Sequence, residues 1–220
     1  MSLGSAVADL TGAPSDAVCP GESSGLKLAR LNGTRIEAQQ IAQLAKASGK
    51  VPSLWLDLEA SETNMRTRDM KQYRVIHIAT HGLLNAARPQ FSGLVLSLVG
   101  DAAGGDGFLR TDEIFNLRLG SPLVMLSACE TGLGREKRGE GVIGLTRAFM
   151  YAGAPTVGVS LWSVADRSTA DLMTDFYRRL LAAGGTPPAA LRAAQQSMIA
   201  GKKYSAPFYW APFVLVGDWR

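Results

Sequence analysis

Residues 123–134 read LVMLSACETGLG, and the interpretation of the whole chain depends on this stretch. Apolar and small residues run without interruption into Cys129, after which the sequence turns polar and rich in glycine. A short apolar run bounded by turn residues is typical of a strand that is buried on both faces of a parallel sheet. Cys129 then stands at the carboxyl end of a strand, either as a small buried core residue or as a nucleophile.

Further apolar runs follow the same pattern and alternate with segments of helical periodicity. The predicted strands are GLKLARLNG (25–33), PSLWLDL (52–58), YRVIHIATHG (73–82), SGLVLSLVG (92–100), PTVGVSLW (155–162) and PFVLVGDW (212–219). The predicted helices are TRIEAQQIAQLAKASG (34–49), SETNMRTRDMK (61–71), DEIFNLRL (112–119), GVIGLTRAFMYAG (141–153), DRSTADLMTDFYRRLLAAG (166–184) and PPAALRAAQQSMIAG (187–201). This alternation predicts an α/β fold with a mainly parallel central sheet covered by helices on both faces.

The composition narrows the classes of protein to consider. Of the 220 residues, 46% are hydrophobic and 19% are charged, as in an ordinary α/β domain with a sizeable core. No apolar run approaches the roughly 18 residues of a membrane span, so no membrane association is expected. The net charge of +4 comes from scattered basic residues, and aromatics make up only 7%. That pattern lacks the basic face with stacking aromatics that binds nucleic acid.

The first 25 residues are small and polar, and lack the basic and apolar regions of a signal peptide. We expect residues 1–25 to be a disordered leader and residues 26–220 to form one domain. The chain contains two cysteines, Cys19 in this leader and Cys129. Two such cysteines do not make a disulfide framework, which favours a reducing, cytoplasmic setting.

A second strand end carries chemistry that complements Cys129. The run ending at residue 82 delivers His81 followed by Gly82. The carboxyl ends of parallel strands meet at one edge of a sheet, so we expect His81 and Cys129 to lie close together there. An imidazole can take the proton of a thiol and return it to a leaving amine. The backbone N–H groups of Gly82 and Cys129 are then candidates for an oxyanion hole.

His77 is the only other histidine, and it lies on the same face of the predicted strand as His81. His81 ends the strand beside a glycine and is expected to be the exposed one. His77 is flanked by isoleucines and is expected to be a hydrogen-bonded core residue. A zinc site of His77, His81 and Cys129 is the alternative, but the chain has no CxxC or HExxH signature.

Four stretches together resemble the CHAT domain, a caspase-like domain named for its association with caspases and tetratricopeptide repeats. They are YRVIHIATHG (73–82), LVMLSACETGLG (123–134), GEGVIGLTRAFMYAGAPTVGVSLWSVADRSTADLM (139–173) and WAPFVLVGD (210–218). The resemblance runs from about residue 28 to the carboxyl terminus. It implies a three-layer α/β/α sandwich related to caspases, gingipains and separase, with His81 and Cys129 as a catalytic dyad. It also implies tetratricopeptide or other repeats upstream of the domain.

The segment after the strand at 155–162 contains Trp162 and Asp166. A similar stretch in separase lies near the pocket for a basic residue, so Asp166 is a candidate floor of the pocket for the residue before the scissile bond (P1). The alternative for Asp166 is an N-cap of the following helix. Trp162 either lines the same pocket or packs in the core.

The loop GREKRGEG (134–141) follows the candidate nucleophile and is basic and rich in glycine. It is either an ordinary solvated loop or a segment that is cut or reordered on activation, as in relatives of caspases. If the enzyme prefers a basic P1 residue, Arg135 and Arg138 are candidate points of self-cleavage.

The sequence therefore predicts a cysteine endopeptidase that acts on a protein or peptide substrate and is regulated by an upstream repeat or sensor region. Cys129 would be the nucleophile and His81 the general base and acid, and no metal or organic cofactor is needed for this chemistry. The alternative is a latent or non-proteolytic caspase-like scaffold that keeps the fold and binds other proteins.

Overall fold

The computed structural model describes residues 28, 31–85, 88–98, 105–133, 138–162 and 166–218. The strands in these ranges are β1 (Val75–Asn85), β2 (Gly93–Val95), β3 (Phe108–Arg110), β4 (Leu123–Leu133), β5 (Thr156–Ser160) and β6 (Phe213–Gly217). The α-helices are α1 (Asn32–Ala47), α2 (Glu62–Thr67), α3 (Thr111–Ile114), α4 (Arg138–Tyr151), α5 (Asp166–Leu180), α6 (Pro187–Ala200) and α7 (Pro207–Trp210). The observed order matches the predicted α/β alternation through most of the chain.

The six strands form one mixed sheet in the order β3-β2-β1-β4-β5-β6. The central strand β4 is parallel to both of its neighbours, β1 and β5. The outer pairs β1–β2, β2–β3 and β5–β6 are antiparallel. The predicted mainly parallel sheet is therefore confirmed at its centre, and antiparallel strands are added at both edges.

Alternate residues of the central strands face two separate hydrophobic layers. One layer contains Ile76, Ile78 and Val124, together with Leu145 and Phe149 of α4. The other contains Val75, Leu123 and Met125, together with residues of α1, α5 and α6. Burial on both faces explains why the central strands are apolar throughout rather than alternating.

Each layer is anchored by a fully buried phenylalanine. Phe149 of α4 fills the layer on one face of the sheet, and Phe176 of α5 fills the layer on the other. Truncating such a residue to alanine typically costs about 3–5 kcal/mol, because a cavity is left where the ring packed. Both faces of the sheet therefore carry a buried hydrophobic layer, as a three-layer sandwich requires.

One predicted turn and one predicted strand are wrong. The Asn-Gly turn expected after the strand at 25–33 is instead the start of α1, which begins at Asn32, and most of that strand lies outside the described residues. The segment 52–58 forms no strand and ends in a 3-10 turn, Asp57–Glu59. Trp55 is buried edge-on against Tyr73 at 6.4 Å, so the apolar residues of this segment pack as a loop on the core.

No helix within the described ranges is both long enough and apolar enough to cross a membrane.

Candidate active site

His81 and Cys129 are register partners on the adjacent parallel strands β1 and β4. Neighbouring strands lie about 4.8 Å apart, and register partners of a parallel pair occupy the same face of the sheet. The backbone therefore brings position 81 and position 129 to one level and one face. This is the juxtaposition that the sequence predicted from two strand ends 48 residues apart (129 − 81).

The boundary between β1 and β4 is also where the chain reverses its direction of travel across the sheet. From β1 the chain continues to β2 and β3 on one side, whereas β4 leads to β5 and β6 on the other. In open α/β sheets, such a switch point forms the crevice in which ligands bind, beyond the carboxyl ends of the strands. β1 and β4 stay paired through Asn85 and Leu133, so His81 and Cys129 lie four residues before the carboxyl ends of these strands, and the prediction that both stand at strand ends is wrong.

His81 is buried, with only 6% of its surface exposed, so the expectation that it is the exposed histidine is wrong. The reason is that β1 does not end at His81 but continues through Asn85. The extension pairs with β2 through Gly82–Leu94 and Leu83–Gly93, and the Asn85 N–H donates to Ser92 Oγ at 3.0 Å. His81 is therefore an interior residue of β1 and not the end of a strand.

The same extension puts Gly82 inside the sheet rather than in a loop beyond it. Its register partners are Leu94 on β2 and Glu130 on β4. Gly82 also borders a small cavity of about 30 Å³ on the α4 side of the sheet, next to Ser160 of β5. The role of its N–H in an oxyanion hole stays a prediction.

His77 lies four residues before His81 on the same face of β1 and is fully buried, as the sequence predicted. Its Nδ1 is 3.0 Å from the Tyr177 hydroxyl of α5. Its Nε2 is 2.8 Å from Glu37 Oε1 of α1, a close contact whose direction falls outside hydrogen-bond geometry. Both ring nitrogens are therefore occupied by partners, which removes His77 from the predicted alternative of a zinc site with His81 and Cys129.

The surroundings of Tyr177 assign the tautomer of His77. Burial, followed by the nearby charge of Glu37, raises the pKa of the Tyr177 hydroxyl well above its ordinary value. The hydroxyl therefore keeps its proton and donates it to Nδ1, and we assign the imidazole proton to Nε2, which faces Glu37. Glu37 and Tyr177 were not found from the sequence, because they lie 40 and 100 residues from His77 and carry no local pattern.

Ser127 is a polar residue close to the candidate nucleophile. It lies two positions before Cys129 and is therefore on the same face of β4. The side chain is 3% exposed, and Oγ has no hydrogen-bond partner within the described part of the chain. A polar residue at this position is therefore no sign that the strand is exposed there.

Trp162 follows β5 at the same edge of the sheet. The last recorded pairing between β4 and β5 joins Met125 and Gly158. Trp162 lies two residues beyond the end of β5, the strand next to β4 in the sheet. The Trp162 ring is half-buried and its Nε1 donates to the Phe208 carbonyl at 3.2 Å.

Asp166 is the first residue of α5. An N-cap, the predicted alternative, is the residue just before the first helical one, and the Asp166 side chain lies outside the described residues, so that alternative stays a prediction. Of the two candidate cleavage points, Arg135 lies outside the described residues, and Arg138 is the first residue of α4. The roles of these three residues stay predictions.

Fold and site geometry together define a class: an α/β/α sandwich with a cysteine and a histidine paired on adjacent parallel strands at a topological switch point. The family profile of the CHAT domain matches residues 4–218. The chain therefore belongs to the CHAT domain family, as its motifs indicated.

Solved structures show the same architecture at low sequence identity. The Arg-specific cysteine proteinase gingipain R (RgpB) is 12% identical and superimposes with a TM-score of 0.60, covering 99% of this chain and 46% of that one. The complex of pro- and mature domains of RgpB from Porphyromonas gingivalis gives 13% identity and a TM-score of 0.61, covering 99% and 47%. The caspase-like fold is thereby confirmed.

Curated relatives include tetratricopeptide repeat protein 28 from Mus musculus and from Homo sapiens. Each is 37% identical over 110 residues, which is 50% of this chain. The chain spans only 4% of the length of these relatives. Similar sequence thus occurs in much longer repeat proteins, which agrees with the expected association of the domain with repeats.

Proposed function

We propose that the chain is a cysteine endopeptidase in which Cys129 is the nucleophile and His81 the general base and acid. The observation that carries the proposal is the register pairing of His81 with Cys129 across β1 and β4. Membership in a caspase-like family and the superposition on gingipain R support a peptidase more broadly.

In the first half of the reaction, His81 takes the proton of the Cys129 thiol, and the sulfur attacks the carbonyl carbon of the scissile peptide bond. A free thiol has a pKa of about 8.5, so only a small fraction is ionised at neutral pH. An adjacent imidazole that accepts the proton greatly increases the fraction present as the reactive thiolate. The C–N bond then breaks, His81 returns the proton to the leaving amine, and a thioester joins the remaining acyl group to Cys129.

In the second half, His81 takes a proton from water, and the resulting hydroxide adds to the thioester carbonyl. The C–S bond breaks, the carboxylic product leaves, and the proton held by His81 restores the thiol. The negative oxygen that forms in each half would be held by the backbone N–H groups of Gly82 and Cys129. Proton transfer of this kind usually contributes about 10²- to 10⁴-fold to the rate.

The preference for a basic P1 residue is a further part of the proposal. Asp166 would supply a carboxylate to a substrate arginine or lysine, which is a strong charge-assisted contact. Trp162, which follows the neighbouring strand β5, would form a wall of the same pocket. The same preference would make Arg135 and Arg138 susceptible to self-cleavage.

A second candidate function is a latent or non-proteolytic scaffold. The burial of His81, which is only 6% exposed, favours it, because a general base must reach both the thiol and the substrate. In this alternative, an upstream repeat region would open the site or use the domain only to bind partners. The tetratricopeptide repeat relatives support such a partner within a longer protein.

The deciding experiment measures cleavage of a peptide library and alkylation of Cys129 by iodoacetamide in parallel. We expect the Cys129→Ala variant to lose cleavage completely and the His81→Ala variant to lose about 10²- to 10⁴-fold. The Cys19→Ala variant is the matched control, because it removes the only other cysteine and should keep full activity. All alkylation in that variant then reports on Cys129 alone.

Equal cleavage by the parent chain and by both active-site variants would sink the peptidase proposal. A Cys129 that resists alkylation in the folded protein but reacts after unfolding would instead support the scaffold.

A further inference from the structure

Three aromatic rings are in contact around α7 (Tyr204, Phe208 and Tyr209), and Trp162 is joined to them by a main-chain hydrogen bond; the four residues are here called the aromatic ladder. The Tyr204 and Tyr209 rings are 5.2 Å apart between centroids. The Phe208 ring meets Tyr209 edge-on at 5.3 Å. The indole Nε1 of Trp162 donates to the Phe208 carbonyl at 3.2 Å, which joins the ladder to the end of β5.

The ladder lies at the carboxyl edge of the parallel strands. β6 is antiparallel to β5 and begins at Phe213, the register partner of Ser160. Residues just before Phe213 therefore lie beside residues just after Ser160, at the edge toward which the parallel strands β1, β4 and β5 all run. Trp162 follows β5, the strand next to β4, so the ladder starts one strand away from the strand that carries the candidate nucleophile.

The backbone beneath the ladder is held by hydrogen bonds on both sides. The Leu161 N–H donates to the Pro212 carbonyl at 3.0 Å. The Gln195 side chain donates from α6 to the carbonyls of Trp210 and Phe213, both at 3.1 Å. The Trp210 indole donates to the Ser205 carbonyl at 3.0 Å. The aromatic rings are thus presented by a fixed segment, and binding would cost little ordering of the chain.

Apolar surface remains open on this supported segment. Phe208 is 51% exposed and Leu161 is 43% exposed, although both adjoin the hydrophobic layer that contains the partly buried Trp162 and Tyr209. Aromatic rings offer their faces and edges to other rings and to large apolar groups, and such contacts add to the ordinary gain from burial. The exposed face of Phe208 is the part of the ladder that a ligand could cover.

We infer that the aromatic ladder is a specificity subsite that binds an aromatic or large apolar side chain of the polypeptide substrate, on one side of the scissile bond. The inference rests on the proposed peptidase function, because it takes the edge with Cys129 to be the place where a polypeptide lies. It adds a preference at a substrate position beyond P1, with Phe208 as the main contact and Trp162 as the link to the catalytic residues.

The test uses the full chain carrying Cys129→Ala, so that binding is measured without turnover. The ligands are fluorescein-labelled hexapeptides that contain one basic residue. Each of the remaining positions is varied in turn between alanine, leucine, phenylalanine and tryptophan. Binding is followed by fluorescence anisotropy. We expect one position at which phenylalanine or tryptophan tightens binding about five- to tenfold over alanine, the usual size of one aromatic contact. Adding Phe208→Ala should abolish this preference, and Phe208→Leu should keep only the part due to apolar bulk.

Phe115→Ala is the matched control. Phe115 is also exposed, at 39%, and also meets a tyrosine edge-on, Tyr151 at 5.4 Å, but it follows α3 at the opposite edge of the sheet. The inference is overturned if no position prefers an aromatic residue, which includes the absence of measurable binding, or if Phe115→Ala has the same effect as Phe208→Ala. If the Cys129→Ala variant prefers an aromatic residue but the parent chain cleaves no peptide, the proposed catalysis is refuted. The aromatic ladder would then still be a binding site for polypeptide.

Discussion

His77 and His81 lie four positions apart on the same face of β1, yet their surroundings differ. His77 is enclosed between α1 and α5, and each of its ring nitrogens has a protein partner, Glu37 or Tyr177. His81 lies four residues further along β1 and is the register partner of Cys129. The two histidines therefore differ in role although they share a strand. His77 links β1 to α1 and α5 in the core, whereas His81 is the candidate general base.

The Tyr177 hydroxyl gives the first residue-scale prediction. Replacing Tyr177 by phenylalanine keeps the ring but leaves His77 Nδ1 buried without its donor. A buried polar atom that loses its partner costs about 1–3 kcal/mol, so the free energy of unfolding should fall by that amount. Urea unfolding followed by circular dichroism measures it.

Tyr151→Phe is the control, since Tyr151 is 77% exposed and its loss of a hydroxyl should change stability by less than about 0.5 kcal/mol. If the two variants were equally stable, the His77–Tyr177 contact would contribute nothing to the fold.

At the scale of elements, β3, α3 and α2 meet in a group of ion pairs around Glu113. The Glu113 carboxylate accepts from the Arg110 N–H at 2.9 Å, and Arg66 of α2 lies 3.7 Å from its other oxygen. Burial is the largest influence and raises the pKa of Glu113 above its ordinary 4.5, whereas the Arg110 N–H lowers it. The charge of Glu62 raises the pKa further. The Glu113 carboxyl group therefore loses its proton more readily in the unfolded chain than in the folded chain.

The sign of the resulting pH dependence follows from that order of ionisation. Below the ordinary pKa of 4.5 the carboxyl is protonated in both states and has no effect. As the pH rises past that value, the unfolded chain loses the proton first, so ionisation of Glu113 favours unfolding. Glu113→Gln keeps an oxygen acceptor for Arg110 and should gain stability relative to the parent between about pH 4 and about pH 7.

Urea unfolding at several pH values between those limits tests this prediction. Asp112→Asn is the control, because the Asp112 side chain is 68% exposed and its replacement should produce no comparable trend. A parent–variant difference for Glu113→Gln that stays constant with pH would contradict it.

Another element-scale prediction concerns the end of β6. Gly217 has φ +113°, and a Cβ built there would lie 2.0 Å from the Pro155 carbonyl oxygen. Gly49, two residues after the end of α1, has φ +72° and no atom within 4 Å of such a Cβ. Alanine at Gly49 should therefore cost about 1–2 kcal/mol from backbone strain alone, and alanine at Gly217 clearly more, because backbone must also move.

Thermal unfolding of Gly217→Ala and Gly49→Ala gives the comparison directly. Equal destabilisation would mean that β6 and the residue before β5 can separate freely, against the antiparallel pairing seen between Thr156 and Gly217.

At the scale of the whole molecule, the sequence predicted what depends on uninterrupted apolar runs and missed what depends on distant partners. The central strands and the long helices were predicted because burial on both faces leaves a clear pattern. The three-residue strand β3 was missed, since Phe108–Arg110 is too short to carry one. The pairing of His81 with Cys129 agrees with the expectation that they lie close together, but the continuation of β1 to Asn85, where it pairs with β2, was not predicted.

The segment at 52–58 shows the opposite error. Its apolar residues were interpreted as a strand, but an apolar pattern reports burial and not pairing. Here Trp55 is buried by contact with Tyr73, and Asp57 is held by Arg35, whose Nη2 donates to both carboxylate oxygens at 2.6 Å. Periodicity cannot distinguish these outcomes in so short a run.

The sheet order also governs what self-cleavage would do to the molecule. A cut at Arg135 or Arg138 would separate a fragment that contains β1 and β4 from one that contains α4, β5 and β6. The fragments share main-chain pairing from Leu123–Thr156 to Met125–Gly158, and α4 contributes Leu145 and Phe149 to the hydrophobic layer on β1 and β4. We therefore expect a cleaved chain to stay folded as one particle.

Incubation of the concentrated chain should thus give two bands on a denaturing gel but a single peak, unchanged in position, on size exclusion. Conversion should stop in the Cys129→Ala variant and in the Arg135→Ala, Arg138→Ala double variant, whereas Arg118→Ala, an exposed arginine before β4, should convert normally. Cleavage that continues in Cys129→Ala would point to a contaminating protease. If the fragments instead separated on size exclusion, pairing between β4 and β5 would be too weak to hold the sandwich together without the connecting chain.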